Sequence, residues 1–171
     1  MKRIPSLQGL SRDHHHDLVY ASQLVRWAAS PDPTPELWAR TGEILEDLPS
    51  HFSFEEQCVL PWVANTKGGR ALVGQAREDH HTLIALFSEL GAQLKLNSPQ
   101  RPLGETLREL VRTLAHALRR HVRFEEQTLF PAVQLVLDEN QSDALGRAWA
   151  LHSARRSHVE NQLTLTECAH A

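Results

Sequence analysis

The stretch His51-Phe52-Ser53-Phe54-Glu55-Glu56-Gln57-Cys58-Val59-Leu60-Pro61 occurs twice in this chain. The second copy is His121-Val122-Arg123-Phe124-Glu125-Glu126-Gln127-Thr128-Leu129-Phe130-Pro131. A histidine and a carboxylate four positions apart lie on one face of a helix, a little over a turn apart. Each copy therefore aims one imidazole and one carboxylate at the same point, and two facing copies aim theirs at each other.

Working outward, every stretch around the two copies has helical rhythm. A first helix runs from an N-cap at Ser11 to about Ala29 and carries His14-His15-His16. Ser30-Pro31-Asp32-Pro33-Thr34-Pro35 breaks the chain, with Thr34 as the next cap. The second helix leads into the first copy, with a kink or short break expected at Pro49. The third, from about Arg70 to Leu96, carries the stripe Val73, Ala76, His80, Leu83, Phe87, Leu90 and Leu94 at steps of three and four. The fourth starts near Leu103 and leads into the second copy. A last helix, roughly Gln141 to Leu165, offers Leu145, Trp149, His152, Val159 and Leu163 on one side. It is expected to pack outside the bundle or against a partner.

The fold class read from this is all-α: an antiparallel up-down four-helix bundle over residues 11–137. An N-terminal arm precedes it over 1–10, and an additional C-terminal helix and tail come after it over 138–171. At 171 residues the chain is long enough for one real core. A net charge of -3 with no basic block points away from nucleic acid and anionic membranes. There is no secretory leader and no apolar run that would span a bilayer, and the two cysteines make no redox or metal spacing, so a cytoplasmic location is expected.

The two halves repeat one order: a histidine on one helix, then His-x-x-x-Glu on the next. The order brings four imidazoles and two carboxylates into the bundle. One imidazole comes from His14-His15-His16, and the others are His51, His80 and His121, with Glu55 and Glu125 as the carboxylates. Two ionised carboxylates buried without compensation cost several kcal/mol each. A pair of metal ions removes that cost. Imidazole plus carboxylate without thiolate suits iron first, with manganese and zinc also compatible. Four imidazoles and two bridging carboxylates supply about eight of the roughly twelve bonds that two six-coordinate ions take. A bridging oxide or hydroxide supplies about two more, and about two positions remain for water, O2 or another small ligand.

This ordered pattern resembles the hemerythrin-like HHE cation-binding domain over about residues 10 to 135. The resemblance implies an antiparallel four-helix bundle around a non-haem diiron site. It also implies functions spread over binding or sensing O2, NO or redox state, and iron handling. The ligand set carried over is His15, His51, Glu55, His80, His121 and Glu125. His15 is chosen because Leu18 then stands where Leu83 stands relative to His80. His14 is the alternative, because Leu18, Ala21, Val25 and Ala28 lie on its side of the helix. The oxygen-carrying hemerythrins use five histidines with a Glu and an Asp. No fifth histidine is found here, which leaves a more open site.

Glu56 and Glu126 are read as surface residues ahead of residues that orient a ligand. Phe54 and Phe124 are expected to wall the pocket, and Cys58 to be a small core residue. Three functions stay open. One is a diiron binder or sensor of O2 or NO, with a homodimer or protein partner engaged through the last helix. The second is an oxidoreductase acting on peroxide or NO. The third is a metal-free helical interaction module.

Overall fold

The computed structural model describes residues 3–30, 35–96 and 104–168. Four long helices form the bundle: α1 (Gln8–Ala29), α2 (Pro35–Phe54), α4 (Gly69–Leu96) and α5 (Glu105–Phe124). Short helices α3 (Pro61–Ala64) and α6 (Phe130–Val136) come directly after the two copies of the motif, and α7 (Glu139–Cys168) comes last. No strand occurs among the described residues. None of their helices is long and apolar enough to cross a membrane. α1 packs on α5, α5 on α4, and α4 on α2.

α4 buries Ala76, His80, Leu83, Phe87, Leu90 and Leu94, as its stripe demands. The core falls into two parts. One, running from the first residues of the motifs toward the far end of the bundle, gathers Leu24, Phe52, Phe87, Leu114 and Leu118. The other, at the motif end, gathers Leu10, Phe54, Leu60, Leu129, Phe130 and Trp149. Polar residues sit in the layer between them.

Both motif copies leave the α-helical register. The Leu60 N–H bonds the Glu55 carbonyl at 2.9 Å, five residues back, and the Phe130 N–H bonds the Glu125 carbonyl in the same way. The prolines explain this. Pro61 and Pro131 have no N–H for the carbonyl four residues back, and their rings crowd it, so the ladder widens by one residue. The π-turns Glu55–Val59 and Glu125–Leu129 result. One extra residue in the turn rotates the downstream side chains about the helix axis. Val59 and Leu60 become buried, and Cys58 is left half-buried, packed against the edge of the motif-end core.

Two other expectations change, and for the last helix the first of its two alternatives, packing outside the bundle, is the one seen among the described residues. α1 begins at Gln8, so Ser11 does not cap it; the Ser11 hydroxyl donates to Glu126 Oε1 at 2.7 Å. No break occurs at Pro49, which lies inside α2 between buried Leu48 and Phe52. α7 packs on its own chain, burying Leu145 and Trp149 against the Pro5–Leu7 turn and the motif end of α2. Thr34, the loop after Leu96 and the side chains of Val159 and Leu163 lie outside the described residues.

Trp149 presses against α1 where only glycine leaves room. A Cβ on Gly9 would lie 1.8 Å from the Trp149 Nε1. Gly9→Ala is therefore expected to cost about 1–3 kcal/mol through overpacking. Thermal melts should show a lower Tm, whereas Gly74→Ala, at a position with nothing within 4 Å, should not lower it.

Candidate metal centre

Two helices supply each pair of imidazoles, and the two π-turns supply the carboxylates. His14, His51, His80 and His121 are all at most 4% exposed, and Glu55 and Glu125 are completely buried. The His14 Nε2 lies 3.5 Å from Glu55 Oε1 and 3.0 Å from Glu125 Oε2. The His51 Nε2 is 3.3 Å from Glu55 Oε1. The His80 Nε2 is 3.4 Å from Glu55 Oε2 and 3.6 Å from Glu125 Oε1. The His121 Nε2 is 3.5 Å from Glu125 Oε2. Glu55 thus turns one oxygen toward each half of the cage, whereas Glu125 turns Oε1 toward His80 and Oε2 toward both His14 and His121.

These contacts are not hydrogen bonds. Charge-assisted N–H···O bonds run at about 2.7–2.9 Å. Among the described residues, nine buried side-chain N and O atoms lack a hydrogen-bond partner. Seven of them belong to the cage: Nε2 of His14, His80 and His121, and all four oxygens of Glu55 and Glu125. Leaving so many polar atoms unpaired would be costly in a buried layer. Their spacing has another explanation. Two donors about 2.1 Å from one cation and at right angles to each other lie about 3 Å apart. Two overlapping donor groups have the compactness a cation needs. His14, His51 and Glu55 form one, and Glu55, His80, His121 and Glu125 form the other, with donor atoms within 4.8 Å of one another in each. The residues present fit a pair of cations.

Each imidazole faces a carboxylate on its other nitrogen, and His14 and His80 are hydrogen-bonded to theirs. The His14 Nδ1–H donates to Glu126 Oε1 at 2.8 Å, and the His80 Nδ1–H to Glu56 Oε1 at 2.9 Å. Asp13 stands 3.6 Å behind His51, and Asp79 stands 3.9 Å behind His121. A carboxylate on Nδ1 fixes the tautomer and leaves the Nε2 lone pair facing inward. Glu56 and Glu126 are therefore half-buried partners of histidines rather than surface residues. Stacked rings hold the same imidazoles. Phe52 lies 4.0 Å from His80, and Phe130 lies 5.1 Å from His14. Phe54 instead packs on Trp149 and His152, and Phe124 is only half-buried.

The first-helix histidine that reaches the cage is His14. His15 is exposed and points away from it. The signal was in the sequence. Leu7, Leu10, His14, Asp17, Ala21, Leu24 and Ala28 match Val73, Ala76, His80, Leu83, Phe87, Leu90 and Leu94 position for position. Asp17, where the other half has a fully buried Leu83, breaks the apolar stripe and shifts the apparent register to Leu18. Asp17 lines a cleft of about 550 Å³ between α1 and α2, together with Asp13 and Tyr20. Burial pushes the Asp17 carboxyl up to about 6, against the pull of His51 and His14.

The hemerythrin HHE cation-binding domain model matches residues 7–133. The chain belongs to this family. Its resemblance to the HHE family therefore holds over most of the chain, from the Pro5–Leu7 turn to α6. Among curated proteins, a DNA nickase from Nostoc sp. is 31% identical over 163 residues, 95% of this chain and 42% of that protein. The chain thus spans less than half of that relative's length. No solved structure matches it.

In the cation-free state protons take the place of cations in this HHE cage. Burial pulls the His51 imidazole down, but Glu55 and Asp13 outweigh it and raise it to about 10. The His80 imidazole is likewise pulled down by burial and raised to about 10 by Glu125 and Glu55. A folded pKa above the unfolded value of about 6.5 contributes stability that is fully present below pH 6.5. It is lost as the pH rises through about 10. The Tm of the chelated protein is therefore expected to fall between pH 7 and 10. Cation-loaded protein should not show that fall, because the cations have already displaced these protons. Parallel melts of the two forms check this.

Proposed function

We propose that His14, His51, Glu55, His80, His121 and Glu125 hold a non-haem diiron pair, through which the chain binds or senses O2, NO or redox state. One observation carries this reading: seven buried, unpartnered donor atoms converge on two overlapping groups that share Glu55. Family membership and the absence of thiolate from both groups support iron. Bound iron would supply redox-active centres with positions left for a small ligand. The protein's own contribution is to present four Nε2 lone pairs and two carboxylates in a layer sealed by apolar residues above and below. Phe52 and Phe130 limit water around His80 and His14. The DNA-nicking activity of the Nostoc protein belongs to a chain of which this one covers 42%, and nothing in the cage carries it over.

Protein purified from an iron-replete host should contain close to two irons per chain. Well under one metal per chain, with no uptake of added Fe(II), would overturn the reading. Mixing the reduced protein with O2, NO and peroxide then separates two roles. A stable spectrum supports a binder or sensor, whereas repeated consumption of one reagent supports an oxidoreductase.

A further inference from the structure

The repeat is not equal in its two halves, and the inequality lies behind the histidines. The Glu126 carboxylate, which accepts from His14, also accepts from the Ser11 hydroxyl at 2.7 Å and from Arg3 Nη2 at 2.6 Å. Arg3 reaches on to the Glu126 carbonyl at 2.8 Å and to Gln134 Oε1 at 2.9 Å. Its guanidinium also lies 5.2 Å from the centre of the Phe130 ring that stacks on His14. His14 is therefore held by a clamped carboxylate on its edge and a clamped ring on its face.

The other half lacks this clamp. Arg77 stands where Ser11 stands and Gly69 where Arg3 stands. Glu56 instead has the mostly exposed Arg77 beside it, with its Nε 3.7 Å away. Behind His121, the Asp79 Oδ2 and His121 Nδ1 face each other across 3.9 Å without a hydrogen bond. A ligand already held in its binding geometry loses less freedom when a cation arrives. Glu56 is 32% exposed and Glu126 27%, so solvent and salt screen both carboxylates to a similar degree, and what differs between the halves is the clamp.

Building on the cation site proposed above, we propose that Glu126 and Glu56 are positioning residues for His14 and His80, and that the Arg3 clamp makes the His14–His51 half the tighter of the two cation positions. Glu126 fixes His14 as the Nδ1–H tautomer and holds its ring. Glu56 does the same for His80 with a looser hold. Arg3 acts at one remove, by fixing Glu126.

Anaerobic titration with Zn(II), a diamagnetic probe, tests this on the full chain. The wild type should bind in two unequal steps. Glu126→Ala should weaken the tighter step by roughly 10- to 100-fold, and Glu56→Ala should weaken the looser step by a similar factor. Glu126→Gln keeps an acceptor for the Nδ1–H and should restore part of the loss. Arg3→Gln should weaken only the tighter step. In Zn(II)-loaded protein with labelled histidine, the protected Nδ1–H signal of His14 should disappear in Glu126→Ala and persist in Glu56→Ala, a difference that general loosening of the fold would not produce. Two cations bound by the wild type, with unchanged steps in all variants, would overturn this proposal alone. So would Arg3→Gln leaving the tighter step intact. A wild type that binds neither Zn(II) nor Fe(II) would overturn the cation reading and this proposal with it.

Discussion

Glu55→Ala is expected to leave the chain without a dinuclear centre, with metal content falling from about two ions per chain to below one. Glu55 belongs to both donor groups. Its Oε1 faces His14 and His51, and its Oε2 faces His80. No nearby residue replaces it, because the π-turn that presents it turns the next carboxylate, Glu56, onto the far side of His80. Glu125→Ala should act alike, since its oxygens face His14, His80 and His121. Glu56→Ala should keep both ions, at lower affinity. Metal analysis of the three purified variants decides the matter. Equal metal content in all of them would refute a carboxylate shared between two ions. The cation-free fold should also suffer. Removing one partner from a buried charged cluster costs about 3–5 kcal/mol, which a denaturant melt of chelated protein would register.

The second large effect separates neighbouring residues. His14→Ala should lose at least one of the two ions. His14 is 1% exposed, its Nε2 is one of the unpartnered cage atoms, and no other side chain of α1 reaches that point. His15→Ala should keep both ions and shift stability by less than about 0.5 kcal/mol, as expected of an exposed site. The His15 ring lies tilted against that of His16 at 6.2 Å and borders the surface clefts. The reverse outcome, with the ion lost from His15→Ala and kept in His14→Ala, would show that the α1 register is wrong.

Much of this molecule is legible in its sequence. Helices announce themselves by periodicity, because a buried stripe must recur every three or four residues, and α4 shows this most plainly. The paired motifs reveal that His51, Glu55, His121 and Glu125 face inward, because spacing by four keeps two side chains on one face whatever surrounds them. His14 and His15 are harder to tell apart. A polar residue at a stripe position, Asp17, disguised the register, and neighbouring residues differ by only about 100° around a helix. The pairing of Asp13-His14 with Asp79-His80 carries the right register, but Leu18 pulls against it.

The all-α architecture, the two-fold repeat and the chemical type of the cage were set by the sequence alone, since local spacing and side-chain chemistry are enough to define them. The folded bundle settled everything that depends on residues far apart in the chain. It brings Glu126 against His14, Arg3 against Glu126, and Trp149 over Gly9. It also settled the helical register downstream of each motif, where the π-turns before Pro61 and Pro131 rotate the next side chains by about one residue. The long-range partners are set by how whole helices pack, which no local pattern around His51 or His121 encodes, whereas the π-turns are local effects of Pro61 and Pro131 whose consequence for burial shows only in the packed bundle.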